Sequence, residues 1–167
     1  MGLFGSKKGN AGTLSSFRYS PGYSDMSGGC HNRELKRNDD GIFVFVTRDR
    51  EWHNEPLTVK TYSVSSESAV EFEEYIKKVN FISLSKRLKS NDFVTDYSPW
   101  NYCVIFDCSS IGGDSYDDYS ISQFRIYTPA DQKLIKEVNE RFLALKGDLI
   151  SETTEEDEFE FSAFCVA

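Results

Sequence analysis

Apolar residues along this chain fall into two periods. Ile42-Phe43-Val44-Phe45-Val46-Thr47 is a short run, apolar at alternate and intervening positions alike, which predicts a strand covered on both faces and therefore interior to its sheet. The run Leu57 to Val64, rich in Val, Thr and Tyr and entered after Pro56, predicts a second strand. Trp100 to Phe106 and Ser120 to Tyr127 predict two more, joined by a loop from Asp107 to Tyr119, and Phe17 to Tyr19 starts the first. Between these lie two stretches with helical spacing. Ala69, Phe72, Ile76 and Val79 make one stripe in a helix opened by Ser65-Ser66, with acids early and Lys77 and Lys78 late, as the helix dipole favours. Leu134, Ile135, Val138, Phe142 and Leu145 make the other, capped by Thr128, with Pro129 at its first position and Gly147 beyond its end. Phe81 to Leu88 fits a short strand or a turn equally well.

The polar run His31 to Arg37 is tied to the apolar strand by Asn38-Asp39-Asp40-Gly41, and Asp-Gly between two extended runs signals a hairpin. Meander, helix, strand pair and helix together predict an α+β fold, an antiparallel sheet of five or six strands with two helices packed on one face as a two-layer sandwich. The expected organisation is a flexible lead-in over residues 1–16, one domain over 17–150, and a tail over 151–167 that is acidic and then Phe-rich, an ending that fits a late edge strand or a sticky tail.

Composition narrows the function classes. The 167 residues are enough for a single core, and thirteen Phe and nine Tyr supply its bulk. Acids outnumber bases 27 to 19, for a formal charge of -8, and Ser151 to Glu160 alone holds six of the acids. That balance argues against nucleic acid as a partner, since such affinity comes from Lys and Arg neutralising phosphates. No apolar run is long enough for a secretory leader or a spanning helix, so the expectation is a cytoplasmic chain without membrane association. Met1-Gly2-Leu3-Phe4-Gly5-Ser6 has the form of a myristoylation signal, a short pattern that chance also produces. Cys30, Cys103, Cys108 and Cys165 include no C-x-x-C pair, and the reading is free thiols rather than zinc or disulfides.

Candidate chemistry concentrates around the hairpin. A two-residue Asp40-Gly41 turn sets Leu35 opposite Val46, Arg33 opposite Arg48 and His31 opposite Arg50, and alternation then gathers those cations on one face. Arginines set against each other repel unless an anion lies between them, and guanidinium binds carboxylate or phosphate as a fork. Gly28 and Gly29 upstream could add backbone donors. Internal pairing with Asp25, Glu51 or Glu55 is the competing outcome, as is a longer turn that shifts the register and scatters the cluster. Trp52 and His53, in the polar segment Arg48 to Pro56, complete the candidate surface, with Trp52 either an exposed hot spot or a lid folded on the core. His31 and His53 are the two imidazoles, and neither belongs to a catalytic or metal-ligand signature; Cys30 beside His31 points to the opposite face of a strand. Asp107, Asp114, Asp117 and Asp118 could gather around calcium, but their spacing does not fit an EF-hand.

The phrases Ser20-Pro21-Gly22-Tyr23, Ser27-Gly28-Gly29-Cys30-His31, Arg50-Glu51-Trp52-His53 and Asp96-Tyr97-Ser98-Pro99-Trp100, with Ser120-Ile121-Ser122 and Tyr127-Thr128-Pro129, resemble a family of small proteins of anaerobic, gut-type bacteria. The resemblance runs from about Phe17 to Gly147 and implies a bacterial origin; it carries no assigned activity. The expectation is thus a non-catalytic binding domain without a cofactor or metal, recognising an acidic protein or a small carboxylate-bearing ligand through His31, Arg33, Arg48, Arg50, Trp52 and His53. Its rival is an acidic, immunity-like protein that neutralises a basic toxin through carboxylates such as Asp114, Asp117 and Asp118.

Overall fold

In a computed structural model the described residues are 12–22, 29–91, 99–112 and 115–155. Seven strands, β1 (Thr13–Ser20), β2 (Cys30–Arg37), β3 (Phe43–Arg50), β4 (Leu57–Ser63), β5 (Asn101–Asp107), β6 (Tyr116–Ser122) and β7 (Leu149–Glu155), form one antiparallel sheet in the order β6-β5-β1-β2-β3-β4-β7. Helix α1 (Ser66–Lys78), a 3-10 segment (Phe81–Lys86) and helix α2 (Pro129–Leu143) complete an α+β fold.

One face of the sheet carries the core. Phe17 at its centre lies 5.1 Å from the Phe72 ring of α1, 5.8 Å from Phe81 and 4.8 Å from Phe142 of α2, which places all three helical segments on the same side. Leu35, Phe45 and Val104 flank Phe17 in the same cross-strand row and are buried with it. The α2 N-terminus is a reciprocal cap: Thr128 Oγ1 accepts from Asp131 N–H and Asp131 Oδ2 accepts from Thr128 N–H, each at 3.1 Å, behind Pro129. Asp131 also takes a two-pronged hydrogen bond from Arg87, 2.9 Å on each prong, and that guanidinium is the main reason its carboxyl is held down at about 2.

Four expectations need correction. The sheet has seven strands rather than five or six, because Ser151 to Glu155 of the expected tail pair with β4 as part of β7. An edge strand exposed at every position needs no apolar alternation, so composition alone reads it as tail. β1 begins at Thr13, inside the expected lead-in, where the Leu14 N–H is taken by Glu73 Oε1 of α1 at 3.0 Å. β6 forms earlier than expected, at Tyr116–Ser122, paired from Asp107↔Tyr116 to Asn101↔Ser122, and residues 123–127 turn away from the sheet. The Phe81 stretch becomes the 3-10 segment, entered through Asn80 in the left-handed region. Gly147 follows α2 where the chain turns into β7; an added Cβ would lie 2.6 Å from the Ser63 carbonyl oxygen. The myristoylation pattern, Gly28, Asp96, Tyr97, Ser98, Asp114 and Cys165 lie outside the described residues.

Candidate functional site

The hairpin that was expected to gather the arginines closes one residue out of that register. Its turn contains three residues, Asp39, Asp40 and Gly41, with Gly41 at φ +80° and Asn38 N–H donating to Ile42 O at 2.8 Å. Leu35 therefore faces Phe45, Arg33 faces Thr47, Asn32 faces Arg48, His31 faces Asp49 and Cys30 faces Arg50. Because side chains alternate, this slip sends His31 and Arg33 to the helix-bearing face and Arg48 and Arg50 to the other.

Each half of the scattered cluster is organised around a carboxylate. On the face away from the helices, Glu34 accepts from Ser16 Oγ at 2.9 Å, Arg18 Nη2 at 3.1 Å and Arg48 Nη1 at 2.9 Å, and only 4% of the residue is exposed. Burial pushes the Glu34 carboxyl up, but these three donors together hold it below the usual range. On the other face, Asp49 Oδ1 accepts from Arg33 Nη1 at 2.8 Å and lies 3.0 Å from His31 Nδ1, while His31 Nε2 is 3.6 Å from Glu51. Asp49 is likewise held low, its partial burial outweighed by Arg33 and His31. Arg33 and Arg48 are thus each paired with a carboxylate of the protein itself. Trp52 is 56% exposed, an open loop residue rather than a lid, and His53 beside it is exposed too. Cys30 is half-buried and Cys103 and Cys108 buried, all as free thiols.

A second location was not legible as a site in the sequence. Between α2 and the β6-β5-β1 end of the sheet lies a cleft of about 520 Å³, within the ~300–1,000 Å³ typical of small-molecule sites. Four rings line it: Tyr19 of β1, Tyr102 of β5, Trp100 just before β5 and Tyr127 just before α2. From α2 come Gln132, Ile135, Lys136 and Asn139, one helical face by their spacing, and the segment after β6 adds Gln123 and Arg125.

That segment is fixed by two main-chain bonds and one from a side chain. Gln123 N–H donates to Trp100 O at 3.0 Å, Ile126 N–H to Leu88 O at 2.8 Å, and Arg125 Nη1 to Arg87 O at 2.9 Å. Tyr127 gives its hydroxyl to Ser122 O at 2.7 Å, and burial, the largest influence, pushes its pKa up to about 12. Tyr19 and Tyr102 are also shifted up by burial, so all three phenols stay protonated.

Two polar atoms in the lining are buried without a hydrogen-bond partner among the described residues: the Arg125 Nε–H donor and the Asn139 Oδ1 acceptor. Buried polar groups in folded proteins are nearly always paired, so these two atoms are the places in the lining where a hydrogen-bonding group would be stabilised. Two lining residues, Arg125 and Lys136, are cationic; among the described residues that line the cleft there is no carboxylate, histidine or cysteine. The two locations adjoin, since Tyr19 pairs with Tyr102 on one side and with Arg33 on the other.

Comparison with protein-family models, curated proteins and solved structures finds no match to this chain. Among the described residues no helix is long and apolar enough to cross a membrane.

Proposed function

We propose that this protein is a non-catalytic binding domain for a small carboxylate-bearing ligand, taken not by the hairpin but by the cleft between α2 and the sheet. The observation that carries the reading is Arg125, whose Nε–H is buried without a hydrogen-bond partner among the described residues in a lining that holds no acid; Lys136, the second cation, has Glu140 3.8 Å away on the next turn of α2. A carboxylate would satisfy Arg125 at the depth of the cleft, with Lys136 at its rim. The lining contains no histidine, cysteine or carboxylate, which supports binding over acid-base catalysis.

The test uses the two tryptophans as probe and control. In a ¹H-¹⁵N spectrum the Trp100 indole signal should move on titration with a small carboxylate and stay still with the matching primary amide, while Trp52, outside the cleft, stays still with both. Lys136→Gln should weaken the response several-fold. A Trp100 signal unmoved by any carboxylate overturns the proposal.

The acidic-surface reading keeps one supporting observation: Asp117 and Asp118 on β6, and Glu152 and Glu155 on β7, put exposed carboxylates on both edge strands of the sheet. It predicts a basic protein partner whose association falls steeply with salt and is lost on charge reversal at Asp117 and Asp118.

A further inference from the structure

Resting on the cleft reading above, we infer that the ligand is an aromatic acid: a flat ring lying against the Tyr19, Tyr102, Trp100 and Tyr127 wall, its carboxylate turned to Arg125 and Lys136.

The wall is continuous. Tyr19 stacks on Tyr102 with centroids 4.6 Å apart and 21° between planes, Trp100 stacks on Tyr127 at 6.0 Å and 22°, and Trp100 meets Tyr102 edge-on at 5.9 Å and 70°. Tyr19, Trp100 and Tyr127 are the partly exposed rings of this wall and Tyr102 is buried behind them, so an aromatic ring entering the cleft would extend an existing cluster of stacked and edge-on rings. An aliphatic acid would fill little of this surface.

Hydrogen-bond supply separates an aromatic acid from a sugar acid, the other flat-faced candidate. Tyr19, the Trp100 indole, Arg125 and Lys136 carry donors, whereas acceptors in the lining come mainly from amides, and Gln123 Oε1 already accepts from the Trp100 main-chain N–H at 3.3 Å. A sugar acid brings several hydroxyl donors that would compete for the Asn139 and Gln132 oxygens. An aromatic acid brings a strong double acceptor and few donors, which complements a donor-rich site. The burial that keeps the tyrosines protonated preserves their donors beside an anion.

The experiment compares 4-hydroxyphenylacetate, its saturated analogue trans-4-hydroxycyclohexylacetate and its amide 4-hydroxyphenylacetamide, following the Trp100 indole signal with Trp52 as internal control. The expected result is saturable movement of Trp100 with the aromatic acid and affinity about fivefold lower for the saturated acid, in keeping with an aromatic contact worth ~1 kcal/mol beyond area. Tyr19→Leu should erase most of that difference; if this variant does not fold, the two acids on the natural chain decide the matter alone. Equal affinity for both acids overturns the aromatic inference and leaves the carboxylate reading standing. Equal affinity for acid and amide overturns the carboxylate reading, and an unmoved Trp100 with all three overturns both.

Discussion

On the helix-bearing side of the sheet, Phe17 sits among the rings of Phe72, Phe81 and Phe142; one residue further along the same strand, Arg18 turns the other way and closes on Glu34. The first face is stabilised by filled volume, so its cohesion rests on shape and tolerates no missing ring. The second face is held by a carboxylate whose three donors come from β1 and β3, so its cohesion depends on geometry and protonation. Heat and denaturant should expose the first kind of dependence, acid the second.

The largest effect should come from Phe142→Ala, which removes a ring buried against Phe17 and Phe45: a loss of about 3–5 kcal/mol in denaturant unfolding. On the other face Glu34→Gln should cost about 2 kcal/mol at neutral pH by removing charge-assisted bonds to two arginines. Acid separates the faces further. Glu34, Asp49 and Asp131 all have folded-state carboxyls below their ordinary values, so their stabilisation is complete above the unfolded range near pH 4 and is lost as pH falls through the folded values, reaching about 2 for Asp131. Melting temperature should drop steeply from pH 4 to 2, and Glu34→Gln should flatten that arm while Phe142→Ala leaves its slope unchanged. Gly41→Ala, at φ +80° in the turn that sets the arginines on separate faces, should cost about 1 kcal/mol without other contact, since an added Cβ meets nothing within 4 Å. Smallest of all, Trp52→Ala should shift stability by less than about 0.5 kcal/mol, its ring being more than half exposed.

The helix-bearing face was the legible one. The stripes through Phe72 and Ile76 and through Val138 and Phe142 mark buried helix faces, and Phe45 marks an interior strand, because burial leaves a period in the sequence. The hairpin register was not legible: Asn38-Asp39-Asp40-Gly41 suits a two-residue or a three-residue turn, and one residue decides which face receives Arg48. The strand Leu149–Glu155 stayed ambiguous between edge strand and tail because an exposed edge imposes no pattern. The cleft was missed for a different reason. Its lining comes from β1, β5, the segment after β6 and α2, and no local motif connects Tyr19 to Asn139. A hint was available in α2, where Gln132, Lys136 and Asn139 make a polar stripe beside the apolar one, but solvated helix faces look the same.

The seam between β1 and β5 also sets an order of events during synthesis. Strands β2, β3 and β4 follow one another and can zip as each leaves the ribosome, yet Ser20 must wait for Asn101 before the other edge of β1 finds its partner. At ~5–20 residues per second that wait is on the order of ten seconds, during which a half-made sheet offers an open edge to its neighbours.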